Sequence, residues 1–338
     1  MRTGFNPYKD QPTEKSEYLH QIIIPVFIPH FDGYFKDSFA ILKLCLQSVF
    51  TTVHDKTFIT VVNNGSCETI KQYLNNLHAT NQVQEVIHTT NIGKLNAILK
   101  GLAGNTIELI TISDSDVLFL NGWQHETTTI FKELPKVGVV GIVPQFNMHK
   151  VHSSNLLFDT LFSNKVKFLP VKNKEALITF YDSINWERNY NPNYLEYSLG
   201  MEVTQNLKVL IGSCHFVATY KKDIFSELVS YIPYKMGGNS EHYLDELPLK
   251  KDYWRVTTYD NYAYHLGNTL EDWMVSFSNV DIKKDINDVP RNYRTNTKFS
   301  EFNYVVKNKI FKKLLFNSLI LNYFYKLKKL PKSMINKY

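Results

Sequence analysis

The sequence predicts an α/β fold, a mainly parallel sheet with helices on both faces, and three observations carry that prediction. Short apolar runs rich in Ile and Val recur between residues 21 and 112, each the length of one strand buried on both sides. Between them, apolar residues fall at helical spacing, so strand and helix alternate. Polar clusters at 63–66, 91–96 and 114–116 then fall beyond strand ends, where ligands of such sheets bind.

Taken in order, the polar segment 1–20 reads as an arm lying on the domain. Ile22–Ile28 is a continuous apolar run and a buried strand. From Phe39 to Val53, apolar residues at 39, 42, 46, 49 and 53 mark a helix. Phe58–Val62 is a second strand, stopped by the turn signal Asn63-Asn64-Gly65-Ser66. Helix over 68–77, strand over 83–88, helix over 94–102 and strand over 109–112 follow, the last ending at Asp114-Ser115-Asp116. The second half is less regular. Residues 137–143 and 209–219 read as strands, 241–251 as a helix, and 255–265 alternates like a strand, while 180–199 is aromatic-rich and loop-like. From about 281 a polar stretch reads as a linker, followed by a basic helical tail.

A chain of 338 residues with 43% hydrophobic and 21% charged residues can bury the core of one large α/β domain, and it is too apolar for general disorder. Cys45, Cys67 and Cys214 are odd in number and widely spaced, so they form neither a disulfide framework nor a Cys-x-x-Cys metal pair, and a reducing compartment fits best. Residues 1–21 lack the apolar core of a secretory signal, and no run reaches the roughly 18 apolar residues of a membrane span. The net charge of +6 hides an asymmetry. Residues 298–338 hold ten lysines and one acid, a charge of +9, which leaves −3 for residues 1–297. A mildly acidic body argues against nucleic-acid binding, which needs basic residues across a folded face.

Several clusters carry possible chemistry. In Asp114-Ser115-Asp116, residues i and i+2 at a strand end point to one side, so two carboxylates converge at a spacing suited to Mg²⁺ or Mn²⁺ shared with phosphates; a solvated turn is the alternative. His265, at the end of an alternating strand, is either a satisfied core histidine or the completion of a metal site. Near 241–246, Ser240 can cap a helix whose first turns hold Glu241, Asp245 and Glu246. Glu241 and Asp245, at i and i+4, equally share one face and could offer a general base to a cleft. Asn91-Ile92-Gly93-Lys94-Leu95-Asn96 opens a helix, where backbone N–H groups and Lys94 favour either a phosphate or simple capping. No Walker A, GxGxxG, HExxH or GxSxG sequence occurs, so P-loop, classical dinucleotide-binding, zincin and α/β-hydrolase readings lack their motifs. In the tail, Val305, Val306, Ile310, Leu314, Leu315 and Leu319 run at helical spacing among lysines. That is a basic amphipathic helix suited to an anionic membrane surface, or one packed on the body with its lysines in water.

Together these pieces, over about 21–270, resemble the family 2 glycosyltransferases of GT-A fold. The resemblance rests on Ile24-Pro25-Val26-Phe27, Cys45-Leu46-Gln47-Ser48-Val49, Val61-Val62-Asn63-Asn64-Gly65-Ser66, Asn91–Ala97, the Asp114-Ser115-Asp116 triplet, and Ile211-Gly212-Ser213 with Tyr220-Lys221-Lys222. It implies that Pro25, Phe27, Asn63 and Asn64 line the donor base and ribose, with Lys94 and Asn96 nearby. Asp114, Ser115 and Asp116 would meet the donor diphosphate. Asp114, Asp116 and His265 would hold Mn²⁺ or Mg²⁺, and Asp245 or Glu241, with His242 a third option, would deprotonate the acceptor. Two departures stand out: Asn63 replaces the usual base-binding acid, and the Glu-Asp pair becomes Glu241-His242. The implied organisation is an arm (1–20), a nucleotide-sugar-binding half (21–125), an acceptor-binding half (126–280), and a linker with basic tail (281–338).

The implied function is a metal-dependent, inverting glycosyltransferase that takes a nucleoside-diphosphate sugar, UDP-sugars favoured, to a glycan or lipid-linked saccharide acceptor in surface polysaccharide synthesis. It would act in the cytoplasm, held on the inner face of the membrane through residues 298–338. The alternatives are a degenerate sugar-nucleotide or glycan-binding module, which would bind donor without transfer, and a nucleotidyltransferase, which would release pyrophosphate.

Overall fold

A computed structural model describes residues 3–14, 16–227, 229–237, 242–277, 293 and 300–338. In chain order the elements are β1 (His20–Val26), α1 (Ser38–Thr52), β2 (Thr57–Asn64), α2 (Glu68–Ala79), β3 (Glu85–Thr89), α3 (Lys94–Leu102), β4 (Leu109–Ser113), β5 (Val117–Phe119), α4 (Trp123–Glu133) and β6 (Val137–Gly141). They continue with α5 (Ser154–Asp159), β7 (Val166–Pro170), α6 (Lys174–Ser183), β8 (Tyr197–Glu202), β9 (Lys208–Ile211), β10 (Val217–Lys221), α7 (His242–Lys250), β11 (Trp254–Thr258), β12 (Ala263–His265) and α8 (Asp272–Phe277). The tail holds α9 (Glu301–Val305), a π-helical turn (Val306–Ile310), α10 (Phe311–Leu315) and α11 (Ser318–Leu327).

Ten strands form one sheet in the order β3-β2-β1-β4-β10-β6-β11-β9-β8-β7. The parallel pairing expected of the first half is there: β3, β2, β1 and β4 all run the same way. Beyond β4 the sheet turns mixed, with β10 antiparallel to both β4 and β6. Strands from before and after residue 125 therefore share one continuous sheet.

The apolar runs explain the layers. Along β1, Ile22, Ile24 and Val26 pack into the cluster built with α1 and α2, while Ile23 faces the cluster built with α3 and α7. A strand with both faces covered is mostly apolar, the buried His20 and Gln21 at its start being hydrogen-bonded, and each buried aliphatic side chain contributes about 1.5–3 kcal/mol. A third cluster joins the far strands to Leu315, Phe324, Tyr325 and Leu330 of the tail.

Two stretches expected as single strands divide. Residues 209–219 split into β9 and β10 because Gly212 turns at φ 94°, and a Cβ there would collide with the Met148 carbonyl. Residues 255–265 split at Tyr259-Asp260-Asn261, and β12 leaves the main sheet to pair with β5. The loop-like 180–199 begins with the end of α6 and finishes in β8, with Phe180 and Tyr181 buried in the core and Trp186 exposed. The expected linker lies almost wholly outside the described residues.

The tail is fastened to the body. Lys307 Nζ sits 2.9 Å from Asp159 and 2.8 Å from Asp252, and buried Lys328 donates to the Thr160 and Ser163 carbonyls at 3.0 Å each. Its apolar residues divide between two sides. Leu315 and Tyr325 face inward, whereas Ile310, Leu314, Leu319, Ile320, Tyr323 and Leu327 face solvent.

Candidate active site

The site is built around the carboxyl end of β4. This strand is fully buried between β1 and β10, and chain direction changes at Asp114, whose N–H donates to the Phe216 carbonyl at 2.8 Å. Asp114 and Asp116 are thus carried on a short turn between β4 and β5. The β5–β12 pairing sets His265 opposite Val117, which brings its imidazole beside Asp116 across 150 residues of sequence.

The two carboxylates meet different fates. Asp114 is paired with Lys94, whose Nζ lies 2.7 Å from Oδ1 and 2.9 Å from Oδ2. Lys94 is the first residue of α3, and that helix start is closed by the segment 229–237: the Lys94 N–H donates to the Lys235 carbonyl at 2.9 Å. Gly93 is required there, because its φ of 92° and the nearness of the Tyr234 carbonyl leave no room for a Cβ. Among the two readings of this helix start, capping describes its first N–H.

Asp116 is less satisfied. Its Oδ2 lies 3.5 Å from His265 Nε2, and its Oδ1 is buried with no hydrogen-bond partner among the described residues. Burial pushes its carboxyl above the ordinary carboxylate range, opposed by His265. A buried carboxylate oxygen without a donor is costly, so this is where a cation fits. Among the described residues no three His, Cys, Asp or Glu side chains converge to enclose a metal. Two donors, Asp116 and His265, nevertheless would suit a hard divalent cation such as Mg²⁺ or Mn²⁺ that took its other ligands from outside the protein.

An open cleft of about 390 Å³ lies over this turn. Of the expected donor-site residues, Pro25, Phe27, Asn64, Lys94, Asp114, Ser115 and Asp116 line it. Asn63 and Asn96 do not. Asn63 accepts from the Ser66 N–H at 2.9 Å and meets His88, while Asn96 bonds the Ile92 and Ile232 carbonyls and the Ile232 N–H, so both amides hold loops from behind. Tyr34, Phe35, Lys235 and Asn268 also line the cleft and were not expected. They come from irregular segments with no periodicity; only the aromatic density of His30–Phe35 was a readable signal.

The expected base region is assembled differently from the donor side. Asp245, in the first turn of α7, is buried and uses both oxygens: Oδ1 pairs with the Arg255 guanidinium and Oδ2 lies 3.2 Å from His215 Nδ1. Arg255 is itself fully buried and also donates to the Ser213 carbonyl at 2.6 Å. Burial opposes the charge on Asp245, but Arg255 and His215 outweigh it and hold the carboxyl below its ordinary value. Asp245 therefore reaches the solvent side through His215, which is partly exposed and next to Phe216, the residue that receives the Asp114 N–H. His242 is exposed, its ring edge-on to His152 at 5.7 Å. Glu241 lies outside the described residues.

With this geometry in hand, the comparisons are informative. The sequence matches the model of "Glycosyl transferase family 2" over residues 26–225. No curated protein matches it. Similar solved structures include a mannosyltransferase, PcManGT from Pyrobaculum calidifontis, in complex with GDP-Man and Mn²⁺, at 15% identity over 77% of this chain and 61% of that one, TM-score 0.43. Another is S. aureus TarS 1-349 in complex with UDP-GlcNAc, at 15% identity over 76% and 60%, TM-score 0.42. The chain thus spans about three fifths of the length of these structures. The family match covers more than half of the chain, with β2, the β4 turn and β10 inside it: the chain belongs to glycosyl transferase family 2.

Proposed function

We propose that this member of glycosyl transferase family 2 transfers a sugar from a nucleoside-diphosphate donor, UDP-sugars favoured, to a glycan or lipid-linked saccharide hydroxyl, with inversion and with Mn²⁺ or Mg²⁺. The observation that carries the reading is the pair of acids on the β4 turn lining the cleft, with Asp116 Oδ1 buried and without a partner among the described residues and His265 beside Oδ2.

In this reading the donor base and ribose lie against Pro25, Phe27 and Asn64, with the rings of Tyr34 and Phe35 as apolar wall. Lys94 and Lys235 bring ammonium groups to the diphosphate, and Lys94 keeps Asp114 in place. Asp116 and His265 would hold a divalent cation, with Asp114 beside them, and that ion supplies neutralisation of the charge that builds on the leaving diphosphate. The acceptor hydroxyl is deprotonated by His215, which Asp245 orients and whose positive charge it then balances. Asp245 is buried against the Arg255 guanidinium, which favours its charged form and lowers its basicity, and it meets the cleft side through His215. The attacking oxygen forms the new glycosidic bond as the bond to the diphosphate breaks, and holding both substrates in one cleft supplies the alignment.

The tail fits a peripheral position on an anionic membrane at its cytoplasmic face. No described helix is long and apolar enough to cross a membrane. Seven of the tail's lysines (309, 312, 313, 326, 329, 332 and 337) are exposed beside outward-facing Ile310, Leu314, Leu319 and Leu327, and Glu301 is the segment's single acid. A membrane-held enzyme suits a lipid-linked acceptor and hence surface polysaccharide synthesis.

The deciding experiment follows nucleoside diphosphate release from a panel of sugar nucleotides, with and without Mn²⁺, alongside thermal stability. Release that needs metal and is lost in Asp116→Asn supports the proposal. Stabilisation by a nucleotide without release, across a range of saccharide acceptors, would make this a sugar-nucleotide-binding protein instead. Pyrophosphate as product would indicate nucleotidyl transfer.

A further inference from the structure

The surroundings of His265 fix more than its position. Ser183, the last residue of α6, has its Oγ 2.7 Å from the Phe180 carbonyl and 2.9 Å from His265 Nδ1. A carbonyl oxygen only accepts, so the single hydroxyl hydrogen of Ser183 goes to Phe180. The remaining contact then requires Nδ1 of His265 to donate. In the neutral ring this leaves the lone pair on Nε2, which lies 3.5 Å from Asp116 Oδ2, another acceptor. Two acceptors facing each other, beside a carboxylate oxygen with no partner among the described residues, make an arrangement that a shared proton or a metal cation between them completes.

We propose that Ser183 is a positioning residue: it holds His265 in the tautomer with hydrogen on Nδ1, so that Nε2 and Asp116 face a divalent cation as a ready pair. The inference rests on the reading of Asp116 and His265 as cation donors given above. Ser183 can impose this because it does not move freely. The preceding Phe180 and Tyr181 are buried, and the loop after His265 runs close to the end of α6 at Gly267, whose φ of 67° favours glycine and where a Cβ would crowd the Ser183 carbonyl. The imidazole is also fixed by the Phe216 ring, 5.5 Å away and perpendicular to it. Partners of this kind, which bond the far nitrogen of a metal-binding histidine, typically govern 10- to 100-fold of metal affinity.

The test uses the full chain and two readouts. Long-range ¹H–¹⁵N correlation of the metal-free protein at pH 7.5 reports which nitrogen of His265 is protonated, and titration with Mn²⁺ by electron paramagnetic resonance, alone and with UDP or GDP, reports affinity. Wild type should show Nδ1–H. Ser183→Ala should shift the ring toward Nε2–H and weaken Mn²⁺ about 10- to 100-fold, and Ser183→Thr, which keeps the hydroxyl, should restore both. Wild type with Nε2–H overturns the proposal without any variant, so a poorly folded Ser183→Ala does not shelter it. Mn²⁺ binding equal in wild type and Ser183→Ala removes Ser183's role and leaves the metal reading standing. No Mn²⁺ binding by wild type with either nucleotide removes the metal reading, and this proposal with it.

Discussion

Asp116, on the turn after β4, and Asp245, in the first turn of α7, are carboxylates of one domain, the first partly buried and the second almost wholly so, and their surroundings are opposite. Every oxygen of Asp245 is matched, one by the Arg255 guanidinium and one by the His215 imidazole, and its carboxyl is held below the ordinary range. Asp116 has one oxygen 3.5 Å from the His265 imidazole and one with no partner among the described residues, and its carboxyl is pushed above that range. A charge the fold completes by itself is a structural and orienting element. A charge the fold leaves incomplete is a place where something else must arrive. On the proposed function, the donor side is the one left for ligands to complete, and the base side is organised in advance.

Replacing each acid separates the two cases most sharply. Asp116→Asn should cost turnover about 10²- to 10³-fold, as several kcal/mol of charge stabilisation is lost, while thermal melting stays level or rises. Asp245→Ala should instead cost about 3–5 kcal/mol of stability, because Arg255 is left buried and unpaired, which chemical denaturation measures. If Asp116→Asn destabilises the fold and Asp245→Ala does not, the comparison is reversed.

A second contrast is with His149, which anchors the tail through Tyr325 at 3.0 Å. Burial, with Lys150 adding to it, lowers its pKa from 6.5 to about 3. The unfolded chain therefore binds a proton that the folded chain refuses. The stability tied to neutral His149 is complete above pH 6.5 and declines as pH falls toward about 3, by up to about 1.4 kcal/mol per pH unit. His149→Gln should flatten the acid limb of a melting-temperature profile between pH 6.5 and 4.5. The smallest effect concerns the tail surface. Replacing Lys312, Lys313 and Lys326 with Gln should weaken sedimentation with vesicles containing phosphatidylglycerol, at about 1 kcal/mol per lysine in low salt, and leave the melting temperature within about 2 °C.

Much of the donor side was legible because its elements obey local rules. The both-sided apolar run Ile22–Ile28 and the sharp stop at Asp114 locate β1 and the β4 turn directly. The same logic failed at Gly212, whose turn is set by Met148, some sixty residues away. It also could not reveal that Asn63 and Asn96 spend their amides on loops, since hydrogen-bond partners follow from tertiary placement. Ser183 and His215 carried no signal at all. Their roles depend on β12 leaving the main sheet and on α7 packing beside β10, which no spacing in the chain encodes. The tail illustrates a middle case: its helical period was readable, but which apolar residues turn inward was decided by the cluster around Tyr325.

The place of β10 in the sheet bears on how the chain is made. β4 pairs with β1 on one side, made early, and with β10 on the other, whose residues 217–221 emerge about a hundred residues after β4. At translation rates of about 5–20 residues per second, that edge stands open for about 5–20 s. An open apolar edge is a template for pairing with other chains, so a nascent or truncated chain ending between 114 and 216 carries the two acids of the site at an exposed seam.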